Sequence, residues 1–102
     1  MLNDVEIKKL QEGLSSEDNF SLIFGTLGDP GRFQMFKLLT EQDDLCVTDF
    51  ANVFNISVPA ASRQLKILEI MNLVKRERMG QMICYCLRAD NPIVEKIIKI
   101  IK

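Results

Sequence analysis

Residues Val47–Asn72 read VTDFANVFNISVPAASRQLKILEIMN, and this stretch decides the fold. VTDFANVF predicts a short helix with Phe50, Val53 and Phe54 as its apolar contacts. Asn55 supplies the turn, because asparagine tolerates left-handed backbone better than most residues. Ser57 is a good N-cap for a second helix, and Pro59 is tolerated within its first turn, where no backbone N–H bond is lost. That helix runs from Val58 to about Met71 and buries Ala61, Leu65, Leu68 and either Ile67 or Met71. Asn72 stands where a left-handed residue would end it. The opening is unusual: two alanines and a serine precede Arg63 and Gln64, as if the first turn had to approach something closely.

Upstream, GDPGRFQMFKLLTE gives a sharp helix start, with Asp29 as cap and Pro30 at the first helical position. Phe33, Phe36 and Leu39, with Met35, supply its buried stripe. Before it, a helix is expected over residues 18–27. The opening LNDVEIKKLQEGL places Leu2, Val5, Ile7, Leu10 and Leu14 close to helical spacing. The polar EQDD reads as a loop. Downstream, LVKRERMGQMICYCL predicts two strands around a Met79-Gly80 turn. Ile83, Tyr85 and Leu87 alternate onto one face, Met82, Cys84 and Cys86 onto the other. NPIVEKIIKIIK closes as a helix with Pro92 near its start. The expected class is mainly α with a small β-hairpin (α+β).

The whole chain of 102 residues suits one domain, and 47% hydrophobic with 26% charged residues is an ordinary globular balance. No apolar run approaches a membrane span, and the N-terminus lacks a signal-peptide layout, so a cytoplasmic protein is expected. Three cysteines without a paired framework argue for free thiols rather than structural disulfides. The net charge of −1 hides an asymmetry. Residues 1–56 carry four basic against ten acidic side chains. Residues 57–88 carry six basic (Arg63, Lys66, Lys75, Arg76, Arg78 and Arg88) against two acidic, Glu69 and Glu77. A positive block on an acidic chain is what a phosphate-facing surface needs.

Two helices joined by a tight turn and followed by an arginine-bearing hairpin form a winged helix-turn-helix, whose second helix enters the DNA major groove by its N-terminal end. The whole then comprises four helices, a recognition helix, a β-wing and a C-terminal helix. Ser62, Arg63 and Gln64 are the expected readers, arginine suiting guanine and glutamine adenine. They stand on a helix opening made by Ser57, Val58, Pro59 and Ala60. On the wing, Arg76, Arg78, Gly80 and Gln81 would follow the adjacent backbone or minor groove. A winged helix that holds a protein partner without specific DNA binding is the alternative. With no histidine and no nucleophile–base pair or convergent carboxylates at recognisable spacing, enzymatic chemistry has no evident apparatus.

The segment from Leu45 to Leu87, LCVTDFANVFNISVPAASRQLKILEIMNLVKRERMGQMICYCL, resembles the ArsR/SmtB family of bacterial metal- and stress-responsive repressors. The likeness extends upstream through LGDPGRFQMFKLL, similar to that family's L-x-D-P-x-R-x-x-I-L-x-x-L segment. One departure is Asn72, where glycine is usual. The resemblance implies a homodimeric repressor with the first and last helices as dimerisation helices, flanking one winged domain over residues 1–102. Ile93, Val94, Ile97, Ile98, Ile100 and Ile101 are too many apolar residues for one face of a small monomer, and a second subunit would cover them. Such a dimer would read a near-palindromic operator.

The family's metal sites can be compared residue by residue. One is written E-L-C-V-C-D; this chain has DLCVTD, keeping Cys46 but placing Thr48 where a second thiolate would be. Another uses Asp, His and Glu on the last helix, and this chain has no histidine. Cys46, Cys84 and Cys86 remain. The last two share a strand face, and in many winged helices the segment before the first motif helix lies beside the wing's second strand. Three thiolates would suit a soft ion such as arsenite, cadmium or copper(I). A cysteine at a helix N-terminus also favours thiolate and a redox switch. A soft metal or metalloid site, a thiol switch, and three cysteines without a sensing role all stay open.

Overall fold

The computed structural model describes residues 1–14 and 19–102. Helices α1 (Asp4–Gly13), α2 (Asn19–Leu27) and α3 (Pro30–Glu41) precede a two-residue strand β1 (Leu45–Cys46). Helices α4 (Val47–Phe54) and α5 (Val58–Ile70), the hairpin β2 (Val74–Met79) and β3 (Met82–Leu87), and α6 (Pro92–Ile101) follow. Asp18, the expected start of the second helix, lies outside the described residues. The sheet is antiparallel with order β1-β3-β2, so the expected hairpin is two of three strands.

The local signals act as expected. The Asp29 carboxylate accepts from the Arg32 backbone N–H at 3.0 Å, and Ser57 Oγ accepts from the Ala60 N–H at 3.2 Å. Asn55 (φ 53°) and Asn72 (φ 60°) are both left-handed. Met79 pairs with Met82, so the hairpin loop is Gly80-Gln81, one residue later than the expected Met79-Gly80 turn. Gly80 carries the positive φ of 65° that the first position of such a loop demands. Because Asn72 already holds the conformation glycine adopts freely, Asn72→Gly leaves the unfolding free energy within about 1 kcal/mol. Asn72→Val costs about 1–2 kcal/mol, the ordinary penalty for left-handed backbone, readable by urea denaturation.

The core joins Met35, Phe36 and Leu39 of α3, Phe50 of α4, Leu65 and Leu68 of α5, Leu73, Val74 and Tyr85 of the wing, and Val94 of α6. In α4 the inward stripe is Val47, Phe50 and Ala51, with Phe54 partly covered, which is i, i+3, i+4, i+7 spacing. Val53, expected inside, is off that stripe and 62% exposed. In α5 Ala61 is fully enclosed, and Met71 rather than Ile67 completes the apolar side. The small side chain at Ala61 therefore serves close packing. Helix α1 buries no residue.

Candidate nucleic-acid interface

With Ala61, Leu65 and Leu68 turned inward, helical geometry turns Arg63 and Lys66 outward, and both are exposed. Ser57, Val58 and Pro59 are exposed at the first turn, while Ala60 and Ser62 are half-buried. Gln64 is different. It lies on the flank toward α3, and its Oε1 accepts from Arg32 Nη1 at 3.0 Å. Arg32 Nε donates to the Thr26 carbonyl at 2.9 Å, so one guanidinium ties the end of α2 to α5. Bidentate adenine reading needs both ends of the Gln64 amide, and one is engaged inside the protein.

Strand pairing sorts the wing into two faces. Arg76 lies opposite Tyr85 and Arg78 opposite Ile83, and Leu45 also pairs with Tyr85. Directly opposed residues share a face, so both arginines belong to the side that packs toward α5. Between α5 and this side runs a groove of about 380 Å³, lined by Thr48, Val58, Ser62, Lys66, Arg76 and Gln81 among others. Arg76 Nε stands 3.8 Å from Glu69 Oε2. Arg63, Lys66 and Arg78 have no ion-pair partner among the described residues, which leaves three cationic groups without a counter-charge in the protein. Gly80 and Gln81 are exposed at the wing tip. Arg88, counted in the basic block, instead donates from Nη1 to Asp90 at 3.3 Å on the approach to α6. Burial, then the charge of Glu69, pushes the Tyr85 phenol up, and Arg76 partly opposes this.

The other face of the sheet holds the sulfur. Cys46 and Cys84 are direct partners across β1 and β3, and their sulfurs are joined in a disulfide. The expectation of three free thiols is thereby corrected: 38 residues of sequence separate two positions that the sheet sets opposite each other. Cys84 is completely enclosed but lies outside the apolar core cluster. The Cys46 N–H donates to the Asp49 carboxylate at 2.9 Å, closing the start of α4. Cys86 is free and half-buried, with Sγ 3.8 Å from Glu77 Oε1. Burial first, then the carboxylates of Glu77 and Asp44, raise the Cys86 thiol above its ordinary value, so it is protonated at neutral pH. Neither metal arrangement implied by the resemblance is present. Thr48 occupies the second thiolate position, the Cys46 sulfur is bonded to Cys84, and no histidine exists.

Sequence reasoning did not single out Lys66 and Thr48 beside the groove, or Asp44 and Glu77 beside Cys86. Lys66 was legible, standing one turn beyond Ser62 in the basic block. The carboxylates carried no signal, since only the strand register brings them to the thiol.

The profile described as "Bacterial regulatory protein, arsR family" matches residues 29–76, which span α3 to β2. A transcriptional repressor SmtB homolog from Synechocystis sp. is 35% identical over 92 residues, covering 87% of this chain and 68% of its own length. A cadmium resistance transcriptional regulatory protein, CadC, from Listeria innocua is 26% identical over 85% of this chain and 75% of its own length. Among solved structures, the homodimeric winged helix-turn-helix DNA-binding domain of Mb0332 from Mycobacterium bovis superposes with a TM-score of 0.71. It is 19% identical and the match covers 99% of this chain and 84% of that one.

Proposed function

Because the chain belongs to the ArsR family of bacterial regulatory proteins, we infer that it is a DNA-binding transcriptional regulator, a repressor acting as a homodimer on a near-palindromic operator. The observation that carries this reading is the exposure of Arg63 and Lys66 on the outer side of α5 and of Arg78 on the wing, each without an ion-pair partner among the described residues, with Lys66 lining the groove between α5 and the wing. The N-terminal end of α5, from Ser57 to Arg63, enters the major groove, with Arg63 as the base reader. Arg76, Arg78, Gly80 and Gln81 follow the neighbouring backbone, and Lys66 joins them. Gln64 holds α5 in place and is a secondary reader at most. Duplexes selected from a random library and titrated by fluorescence anisotropy test this. The expected result is an inverted repeat bound with strongly salt-dependent affinity. A stable complex with another protein, together with no salt-dependent affinity for any duplex, would identify an interaction module instead.

Residues 1–102 then form one winged unit with α1 and α6 as dimerisation helices. Ile7, Leu10 and Leu14 of the N-terminal segment and Ile100 of α6 are exposed, and α1 buries nothing. The radius of gyration of 17.6 Å exceeds the roughly 13 Å of a compact chain this long. A partner subunit would cover these surfaces, and the Mb0332 domain of like fold is homodimeric. Ile100 is 81% exposed, so Ile100→Asp should leave each protomer folded. Sedimentation velocity is expected to show a shift from dimer toward monomer, with operator affinity falling together with it. An unchanged dimer would remove α6 from the interface.

Release is assigned to agents that act on Cys46, Cys84 and Cys86, either a soft metal ion or a thiol oxidant. Two of these sulfurs are within bonding reach, and the third is two residues along the same strand face. Oxidation would join two thiols as the disulfide with loss of two protons and two electrons, which a peroxide accepts on becoming water. Operator release measured against cadmium, arsenite and hydrogen peroxide, in the wild type and in Cys46→Ser, separates the two routes. A peroxide response that is identical in both proteins would place the oxidant trigger elsewhere.

A further inference from the structure

The outer sheet face gathers more than sulfur. Ligand-capable atoms of Asp44, Glu77 and Cys86 all lie within 4.8 Å of one another. They come from three separated parts of the chain. Glu77 is the direct cross-strand partner of Cys84, and Cys86 is two residues along the same strand, so all three share a face. Asp44 immediately precedes β1. Continuing the register Leu45 with Tyr85 and Cys46 with Cys84 sets it opposite Cys86.

We propose that this face is a binding site for a borderline-soft divalent cation, Zn²⁺ or Cd²⁺, held by Asp44, Glu77, Cys84 and Cys86, and that the Cys46–Cys84 bond closes the site by withholding Cys84. The proposal deepens the release reading above and rests on it only for its consequence for DNA.

The donor set decides the ion. Two carboxylates beside two thiolates suit a four-coordinate d¹⁰ dication, whereas copper(I) and arsenite call for sulfur alone. Around such an ion, metal–ligand bonds of about 2.0–2.3 Å put neighbouring ligand atoms about 3.3–3.8 Å apart. Glu77 Oε1 and Cys86 Sγ are already 3.8 Å apart, and the remaining separations, within 4.8 Å, need to close by no more than about 1.5 Å, which side-chain rotation at exposed Asp44 can supply. Lys75 Nζ, 3.4 Å from Glu77 Oε1, is the cation already at this carboxylate, and the metal ion would displace it. Opening the site is a balanced reduction. A phosphine reductant breaks the S–S bond and, with one water, yields two thiols and the phosphine oxide. Metal binding then displaces the protons of Cys84 and Cys86. An ion held here would clamp the wing strands to the residue before β1, and so to the start of α4.

The test is a Cd²⁺ titration of the full chain, reduced with a phosphine, read by thiolate-to-cadmium ultraviolet absorption without any DNA. One equivalent per chain is expected to bind when reduced. The disulfide form should bind at least about tenfold more weakly, the least that losing even an outer-shell partner costs. Cys46→Ser should bind as the reduced wild type does, whether or not oxidant has been added. Asp44→Asn with Glu77→Gln should weaken binding by about tenfold or more, and Cys86→Ser should weaken it at least as much. Circular dichroism shows each variant folded; should Cys86→Ser fail, the carboxamide pair carries the test. No charge-transfer absorption from the reduced chain overturns the proposal. So does cadmium affinity that is unchanged in the carboxamide pair, since sulfur alone would then hold the ion. Operator binding by the metal-free chain is measured separately, so a failed titration leaves the DNA reading standing, and a failed operator assay leaves the titration standing.

Discussion

Phe50→Ala lowers the unfolding free energy by about 3–5 kcal/mol, the usual cost of emptying an aromatic site in a closed core. Phe50 is fully buried, and its ring stacks on that of Phe54 with centroids 6.5 Å apart and planes 9° from parallel. It is the main anchor of α4, an eight-residue helix too short to persist without tertiary contacts. Its loss therefore loosens the turn that presents α5. A domain this size has about 5–15 kcal/mol in total, so the variant retains little margin. The melting temperature should fall by roughly 12 °C or more, at about 4 °C for each kcal/mol, with protein concentration held fixed. Val53→Ala is the matched control, since Val53 is 62% exposed and its truncation should cost no more than about 0.5 kcal/mol. Equal losses in the two variants would show that the inward stripe of α4 has been misassigned.

Arg63→Ala weakens binding to the selected operator by about 5- to 150-fold, the equivalent of 1–3 kcal/mol for a bidentate base contact, and relaxes preference at one base pair in each half-site. Arg78→Ala behaves differently. It weakens binding to every duplex by a similar factor and reduces the salt slope by about one, as the loss of one phosphate contact requires. Gln64→Ala gives a third signature: its Oε1 serves Arg32 at 3.0 Å, so base preference stays and only the seating of α5 suffers. Competitive anisotropy with single-base operator variants at several salt concentrations separates the three. An Arg63→Ala protein with unaltered preference would move base reading away from α5.

Much of the fold was legible because its signals are local. Asp29 with Pro30, Ser57 with Pro59, and the left-handed Asn55 and Asn72 each mark an element end through the backbone of two or three residues. Helical periodicity then identified Ala61, Leu65 and Leu68 as the inward side of α5. The errors arose where position depends on a partner distant in sequence. Strand β1 is two residues long and has no periodicity of its own, so its place beside β3 was legible only through the likeness to other winged helices, and its register was not. The Cys46–Cys84 bond and the approach of Asp44 and Glu77 to Cys86 follow from that pairing. Gln64 is expected to read adenine by its type, and nothing in the sequence signals that Arg32, 32 residues upstream, meets its oxygen. Val53 is apolar but off the stripe, a distinction that eight residues of periodicity resolve poorly.

The wing is a ribbon with two readerships. Along β2, Arg76 and Arg78 belong to one side and Lys75 and Glu77 to the other, and β3 divides Ile83 and Tyr85 from Cys84 and Cys86 in the same way. Neighbours one peptide apart thus belong to the proposed DNA side and to the proposed metal side in turn. On those assignments, a point substitution would retune ligand binding on one side and leave DNA recognition on the other. Inserting or deleting a single residue would exchange the two sides and destroy both at once. The two assignments together therefore tolerate changes of side chain but not of strand length.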